Sequence, residues 1–593
     1  MSDLSSQPTP LQTIYNWYRS TTLTVNRAYQ RKLVWTLEEK QKLIDSILKD
    51  YPIPLVLLAE TTYEGQPQLE IIDGLQRLHT IVSFIEHGFS TMDGSYFNVD
   101  EFTRAKEERE KQTFKESDSD KRLSRSEVSK ILDYILPVSI IRHASEEVVT
   151  DVFGRINSYG HRLSDQERRQ AGLVSDLARF VRTLSAEIRG DVSVDRLPLT
   201  KMPEISIDLA STKYGYKVQA SDVFWVRQGI LRSTELRDSL DEQALADLVA
   251  CVLSDKLVER SKDALDDLYN QSSPESASIT SRLRAYPPEK LASEVKYCIE
   301  IVDKIANHHS AALRNLVFDQ SRSTNSFPTV FSVIFMAIYE LSFKLGLLLA
   351  NPEAANHALK GVHARLNTSR NALSIEERRL NINIVKGLLN DSFVQGDVGK
   401  VAFGIRRELD ISNTLRRSEI ETPSFEMKQG ILRLSNDRAL DESTFDKVIA
   451  TASAIANIGP RSQGMIFIGV ADKESDADRI TELDGIEPTK IGHRWIVGID
   501  REAKVLGFNA ERYFHTWRDK IDQADLTQAL KSDLLGAMDL VLLGDKHLLL
   551  LNVPTQKAVS VYRGKVFTRD GDQTREASIE ASLAMAARFA RDK

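Results

Sequence analysis

The spacing of apolar and polar residues changes character along the chain. From Thr36 to Leu48, the residues Leu43, Ile44, Ile47 and Leu48 fall on one face of a 3.6-residue period, and Thr36 with Glu39 forms a capping box, so a helix is predicted. Tyr51-Pro52-Ile53-Pro54 stops it. Leu55 to Ala59 and Leu69 to Ile72 read as short buried strands, after which Leu78, Ile81, Val82 and Ile85 return to helical spacing. Tyr134 to Ile141 reads as a third strand and Ser145 to Phe153 as a helix with acidic residues in its first turn. Asn157-Ser158-Tyr159-Gly160 then reads as a turn before a second capping box, Ser164 with Glu167. Residues 101–130 carry dense charge of both signs and read as a solvated helix or insertion. From about 176 to 415 the pattern is mostly helical, broken by a Ser-rich loop near Gln271 to Ser281. After about 416, strand-forming runs take over: Met465 to Ile468, Trp495 to Val497, His547 to Val553 and Lys565 to Thr568.

These shifts divide the chain into residues 1–175, 176–415 and 416–593. At 593 residues it exceeds what one hydrophobic core supports, so several domains are expected. The apolar stretch from Phe327 to Ala350 holds Glu340 and Lys344 one helical turn apart. Each would cost about 2.5–3.5 kcal/mol at a bilayer centre, so the stretch reads as a buried helix and no membrane is implied. The opening MSDLSSQPTPLQ shows no secretory pattern, and two cysteines, Cys251 and Cys298, are too few for a disulfide framework or a cysteine zinc site. A cytoplasmic protein is expected. With a net charge of −7, nucleic acid would have to be met by local basic patches.

Asp73-Gly74-Leu75-Gln76-Arg77 sits where a strand turns into a helix. Gly74 permits a tight turn, and the amides of the first helical turn have no internal partner, so they can hold a phosphate. Arg77 supplies a planar cation suited to phosphate oxygens, Asp73 can position water or a metal, and Gln76 can bond phosphate or sugar. Taken alone, the pentapeptide is an ordinary turn beside a surface cation. Two further clusters change that reading: Arg27-Ala28-Tyr29-Gln30-Arg31 with Trp35 upstream, and Phe153-Gly154-Arg155-Ile156-Asn157 with Leu163-Ser164 and Glu167-Arg168 downstream.

With these segments in this order, residues 10–175 resemble the ParB/sulfiredoxin-like nucleotidase domain that opens GmrSD-type restriction endonucleases. The family's second Gln in the Asp-Gly turn is Leu75 here. The resemblance implies binding and hydrolysis of a nucleoside triphosphate, coupled in that family to recognition of modified DNA. It assigns Gln30, Arg31, Gly74, Gln76, Arg155 and Asn157 to nucleotide binding, and Asp73 and Arg77 to catalysis.

The second constellation lies near the C terminus. Glu421 and Glu426 are five residues apart, Lys428 follows, and Ala454-Ile455-Ala456-Asn457 precedes a Gly-bearing turn and the run Ile468-Gly469-Val470-Ala471-Asp472. Carboxylates converging at strand ends suit a hard divalent cation, and a nearby lysine can stabilise charge on a phosphate. Such Glu pairs are also common on solvated surfaces. The order of pieces, continued by Tyr562-Arg563-Gly564, Phe567-Thr568-Arg569 and Thr574-Arg575-Glu576-Ala577, resembles the Schlafen AlbA-like nucleic-acid-binding domain. The family's Asn-Thr-x-Gly-Gly turn is stretched here to Asn457 through Gly464. The resemblance implies binding of DNA or RNA. It extends to Mg or Mn-dependent cleavage if Glu421, Glu426 and Asp472 hold the metal beside Lys428, with Arg461, Arg494, Arg563, Arg569 and Arg575 on backbone phosphates.

No Walker-type loop or serine elbow is present. His308-His309 with Asn315 lacks the strand framing of a His-Asn-His nuclease, and His79 is either packed or nucleotide-facing. The expectation is a mixed α/β and α+β multidomain protein: a ParB/sulfiredoxin-like domain, a helical middle and a Schlafen AlbA-like domain. Its function would be phage-defence hydrolysis of nucleotide coupled to nucleic-acid binding or cleavage. The alternative is a non-catalytic DNA- or RNA-binding regulator switched by nucleotide. A homo-oligomer is compatible with either.

Overall fold

The computed structural model describes the chain apart from residues 1–2, 28–31, 64–65, 112, 115, 159–163, 171–174, 192–195, 203, 207–216, 255–256, 308–311, 320–324, 369–373, 405–407, 419–421, 461, 493, 572 and 592–593. It forms two compact units, Met1–Ile405 and Arg406–Lys593, both of mixed helix and sheet.

The first unit is built on a six-stranded mixed sheet. Its elements are β1 (Asp3–Pro10), α1 (Leu11–Arg19), β2 (Leu23–Asn26), α2 (Leu37–Leu48), β3 (Val56–Tyr63), β4 (Gln66–Asp73), α3 (Leu75–Ile85), β5 (Ile135–Arg142) and β6 (Arg196–Pro198). The strand order is β1-β5-β3-β4-β2-β6, with β3 antiparallel to β4 and parallel to β5. Alternation along the strands separates two apolar faces. Val56, Leu58 and Ile71 pack with α1, α2 and α3, whereas Leu57, Ala59 and Ile72 meet Val149 and Phe153 of the helix Glu146–Ser158. The predicted boxes are present. Thr36 and Glu39 cap α2, and Ser164 and Glu167 exchange backbone bonds of 3.0 and 3.2 Å.

Two local expectations are corrected. The turn placed at Asn157-Ser158 is helix up to Ser158, with Tyr159 and Gly160 outside the described residues. The Ser-rich loop at 271–281 is largely the helix Pro274–Ala285, because Ser273 caps it and Pro274 occupies its first turn, where a missing N–H costs nothing. The charged stretch 101–130 carries the short helix Thr103–Glu110 and the start of Arg125–Asp133.

The remaining part of this unit is mainly helical. Pro328–Tyr339 is buried along nearly its whole length, and Glu340 beyond it accepts from Lys344, Arg379 and Lys386 at 3.4, 2.5 and 3.0 Å. Burial opposes charge on Glu340, but the bonds from Arg379 and Lys386 prevail and hold its carboxyl down at about 2. Among the described residues no helix is long and apolar enough to cross a membrane. Cys251 and Cys298 are buried and unbridged.

The second unit holds a four-stranded sheet in the order Phe425–Lys428, Gly464–Ile468, Lys546–Val553, Met538–Leu543. The first pair is parallel and the others antiparallel. One face packs on Ser443–Ala456 and Ala510–Asp522 through Val448, Ile466, Leu549 and Trp517. The other buries Phe425, Met427, Phe467 and Leu548. Asn457, at the end of Ser443–Ala456, receives the Ser560 amide at 2.7 Å and donates to the Ser560 and Phe567 carbonyls.

Candidate functional site

The Asp-Gly turn forms because β4 ends at Asp73 and α3 begins at once. Gly74 has φ +98°, and a Cβ there would lie 2.7 Å from Val56 Cγ2, so both conformation and space demand glycine. No side chain caps α3. The peptide dipoles therefore leave a positive end at the turn.

Arg77 lies one helical turn on. Its Nη2 donates to Asp73 at 2.7 Å and to the Leu55 carbonyl at 3.1 Å, while its buried Nε has no partner. The Asp73 side chain is 44% exposed, so this pair faces water on one side and can exchange partners. His79 is buried within α3.

Gln76 plays a different part from the one its sequence position suggests. Its Nε2 donates to the Lys32 carbonyl at 2.6 Å, and its Oε1 accepts from the amides of Val34 and Trp35 at 3.2 and 3.4 Å. Both ends of the amide are spent on backbone, so Gln76 ties the segment after Arg31 to α3 and does not present itself to a ligand.

The Tyr-Gln-Arg segment is pinned on both sides. Gln30 and Arg31 lie outside the described residues, but Arg27 and Lys32 flank them. Arg27 donates to the Asp191 carbonyl at 2.9 Å and pairs with its carboxylate at 3.3 Å. Lys32, 6% exposed, donates to the Leu236 carbonyl and Ser239 Oγ, both at 2.8 Å, and sits 3.6 Å from Glu242 and 3.9 Å from Asp241. Arg189 completes the cluster, reaching Asp191, Asp241 and Glu242. Burial disfavours charge on Arg189, but these acids outweigh it and raise its pKa. Among the described residues three cations and three carboxylates thus balance around Arg27, Lys32 and Arg189. The acidic partners lie 164 and more residues downstream, and no local spacing signals them.

Phe153 and Val149 pack on Leu57 and Ile72, which brings the Phe-Gly-Arg-Ile-Asn helix onto the strand that carries Asp73, on the face opposite α3. Arg155 is 74% exposed and pairs with Asp151 at 2.8 Å. Asn157 lies in the helix's last turn.

In the second unit two of the three predicted carboxylates, Glu426 and Asp472, are paired with basic side chains. Glu426 pairs with Lys428 and, at 3.0 Å, with Arg569. Arg569, 1% exposed, also donates to the Pro423 and Phe425 carbonyls at 3.1 and 2.9 Å and to Thr574 at 3.0 Å. Its three nitrogens make four bonds here, so it locks the hairpin Lys565–Glu576 to the edge strand and presents no open fork to a phosphate. Asp472 pairs with Arg494. Arg563 grips Asp446 with two bonds of 2.8 and 2.9 Å, and Arg575 pairs with Asp570 at 2.9 Å. Both are more than half exposed. Glu421 and Arg461 lie outside the described residues, as do His308 and His309. Among the described residues no group of three or more His, Cys, Asp or Glu is placed to hold a metal. A divalent cation on Glu426 would have to displace Lys428 and a buried guanidinium.

No curated protein matches the chain. Residues 11–174, which carry β2 to β5, α3 and the Phe-Gly-Arg-Ile-Asn helix, are similar to the family described as the GmrSD restriction endonuclease, N-terminal domain.

Proposed function

We propose that the first unit binds a nucleoside triphosphate at the Gly74 turn and hydrolyses it, and that this reaction serves a restriction-type defence protein acting on DNA. The observation that carries the reading is the uncapped start of α3, opened by a glycine that the fold requires, with Arg77 held beside it by a single nitrogen. A triphosphate would take up the first-turn amides and draw the guanidinium away from Asp73. The freed Asp73 carboxylate would then orient the attacking water. Gln30 and Arg31, between the anchored Arg27 and Lys32, would contribute to nucleotide binding. Arg155 and Asn157 would approach from the helix on the other face of β4.

Phosphate release from each nucleoside triphosphate, with and without DNA and Mg²⁺ or Mn²⁺, tests this. Arg77→Ala is expected to lower turnover at least about 100-fold while the protein stays folded. Unchanged turnover in that variant would remove the assignment.

For the second unit, a specific observation favours binding of DNA or RNA over cleavage: Glu426 and Asp472 are each neutralised by basic partners. The exposed Arg563 and Arg575 would meet backbone phosphates by exchanging their carboxylate partners. If Glu426→Gln with Asp472→Asn abolished cleavage of either nucleic acid, the metal-dependent nuclease reading would replace this one.

A further inference from the structure

The helical part of the first unit contains a second buried charge cluster, and this one does not balance. Asp247, on the helix Leu240–Leu253, is gripped by Arg378 of Ile375–Leu389 with bonds of 2.8 and 3.0 Å. Arg378 also donates to the Val258 carbonyl at 2.5 Å. Arg260, in the segment before Lys262–Tyr269, reaches the same carboxylate only at 3.6 Å. The three side chains are 2, 1 and 8% exposed for Arg378, Asp247 and Arg260. Among the described residues two guanidinium groups therefore share one carboxylate out of water, and Arg260 Nη1 is buried with no hydrogen-bond partner.

The neighbouring thiol does not supply the missing charge. Cys251 Sγ lies 3.9 Å from Asp247, and burial, reinforced by that carboxylate, pushes its pKa up to about 11, so it stays neutral. Arginine does not shed its proton at ordinary pH. An uncompensated cation in such a place costs several kcal/mol, and proteins meet it with a counter-ion. The cluster around Arg27, Lys32 and Arg189, with three cations facing three acids among the described residues, shows the balanced alternative in the same unit.

We propose that Arg260, backed by Arg378, holds a small inorganic oxyanion of the phosphate or sulfate class as the counter-ion to the excess cation. A planar guanidinium offers parallel N–H groups to two oxygens, which favours an oxyanion over chloride. Val258 and Glu259, next along the chain, are half-buried and exposed, so Arg260 lies close in sequence to solvent-facing backbone. This site is independent of the nucleotide reading, because none of its residues belongs to the Gly74 turn.

The test is thermal unfolding of the full chain, wild type and Arg260→Met, titrated with inorganic phosphate, sulfate or chloride at fixed ionic strength. Phosphate or sulfate is expected to raise the wild-type midpoint saturably, by about 2 °C at tenfold excess over Kd, with chloride ineffective. Arg260→Met should lose the saturable rise without starting from a lower midpoint, since it removes an unpaired charge. General salting effects rise without saturation and act equally on both proteins. A saturable rise of the same size in Arg260→Met, or none in the wild type, would overturn the site. Should the variant fail to fold, phosphorus-31 line broadening of inorganic phosphate by Arg77→Ala, in which the Gly74 turn is disabled, decides: broadening displaced by sulfate but not chloride supports the site, and unbroadened phosphate removes it.

Discussion

Arg77 and Arg569 are both arginines beside a carboxylate, yet they stand in opposite conditions. Arg77 uses one nitrogen, on an acid that is 44% exposed, next to an uncapped helix start. Arg569 is 1% exposed and uses three nitrogens, two of them on backbone carbonyls. The first pair can be exchanged for a ligand at small cost, because a half-solvated ion pair contributes little. The second cannot, because each of its partners would be stranded out of water. A basic residue near an acid therefore says little in itself. What separates a ligand-binding arginine from an architectural one is how many of its donors are already committed.

That contrast can be broken in several ways. The largest effect is expected at Lys32, where Lys32→Met would remove one of the two cations that pair with Asp241 and Glu242 among the described residues. A loss of about 3–5 kcal/mol in denaturant unfolding should follow, and a loss under 1 kcal/mol would show that the cluster does not anchor the Tyr-Gln-Arg segment. Gly74→Ala forces a Cβ to 2.7 Å from Val56 Cγ2 at a positive φ, so about 2–4 kcal/mol should be lost. Wild-type stability in that variant would mean that the turn tolerates other residues.

Arg569→Met tests the other half of the comparison. It should destabilise the second unit by about 1–3 kcal/mol, through the orphaned Pro423 and Phe425 carbonyls, and leave nucleotide turnover unchanged. The reverse outcome, intact stability with lost function, would make it a functional arginine after all.

Elements whose signals are local are legible in the sequence. The capping boxes at Thr36 and Ser164 and the apolar runs of β3, β4 and β5 appear within a residue or a few of their expected places. Gly74 was legible because its turn follows from a strand meeting a helix. Gln76 is ambiguous in the sequence because a polar side chain in a strand-to-helix turn looks the same whether it faces a ligand or a neighbouring backbone; in the structure both ends of its amide meet backbone. The Ser-rich segment was misjudged because serine favours loops and helix caps equally, and Ser273 is a cap. Nothing in the spacing could reveal that Lys32 meets Ser239 or that Arg569 meets Pro423, since those partners come together only when the chain folds.

The smallest effect concerns acid. His87 accepts the Ser117 amide at Nδ1, 3.1 Å away, and its Nε2 donates to the Phe97 carbonyl at 2.6 Å. Burial pushes its pKa down to about 4, against about 6.5 when unfolded. The unfolded chain thus gains a proton first, so the His87 contribution is complete above pH 6.5 and is lost as pH falls from there through 4. A His87→Gln variant should lose part of the acid sensitivity of unfolding over that window. An unchanged pH slope would mean that the ring is charged in the folded protein.

The most direct test of the account is calorimetric titration of a non-hydrolysable nucleoside triphosphate into the full chain and into Arg77→Ala. One site per chain is expected, with affinity at least about tenfold weaker in the variant, a difference of about 1.4 kcal/mol. Equal affinity in the two proteins, or no binding to either, would contradict the claim that the bare start of α3 and its half-committed arginine form a polyphosphate site.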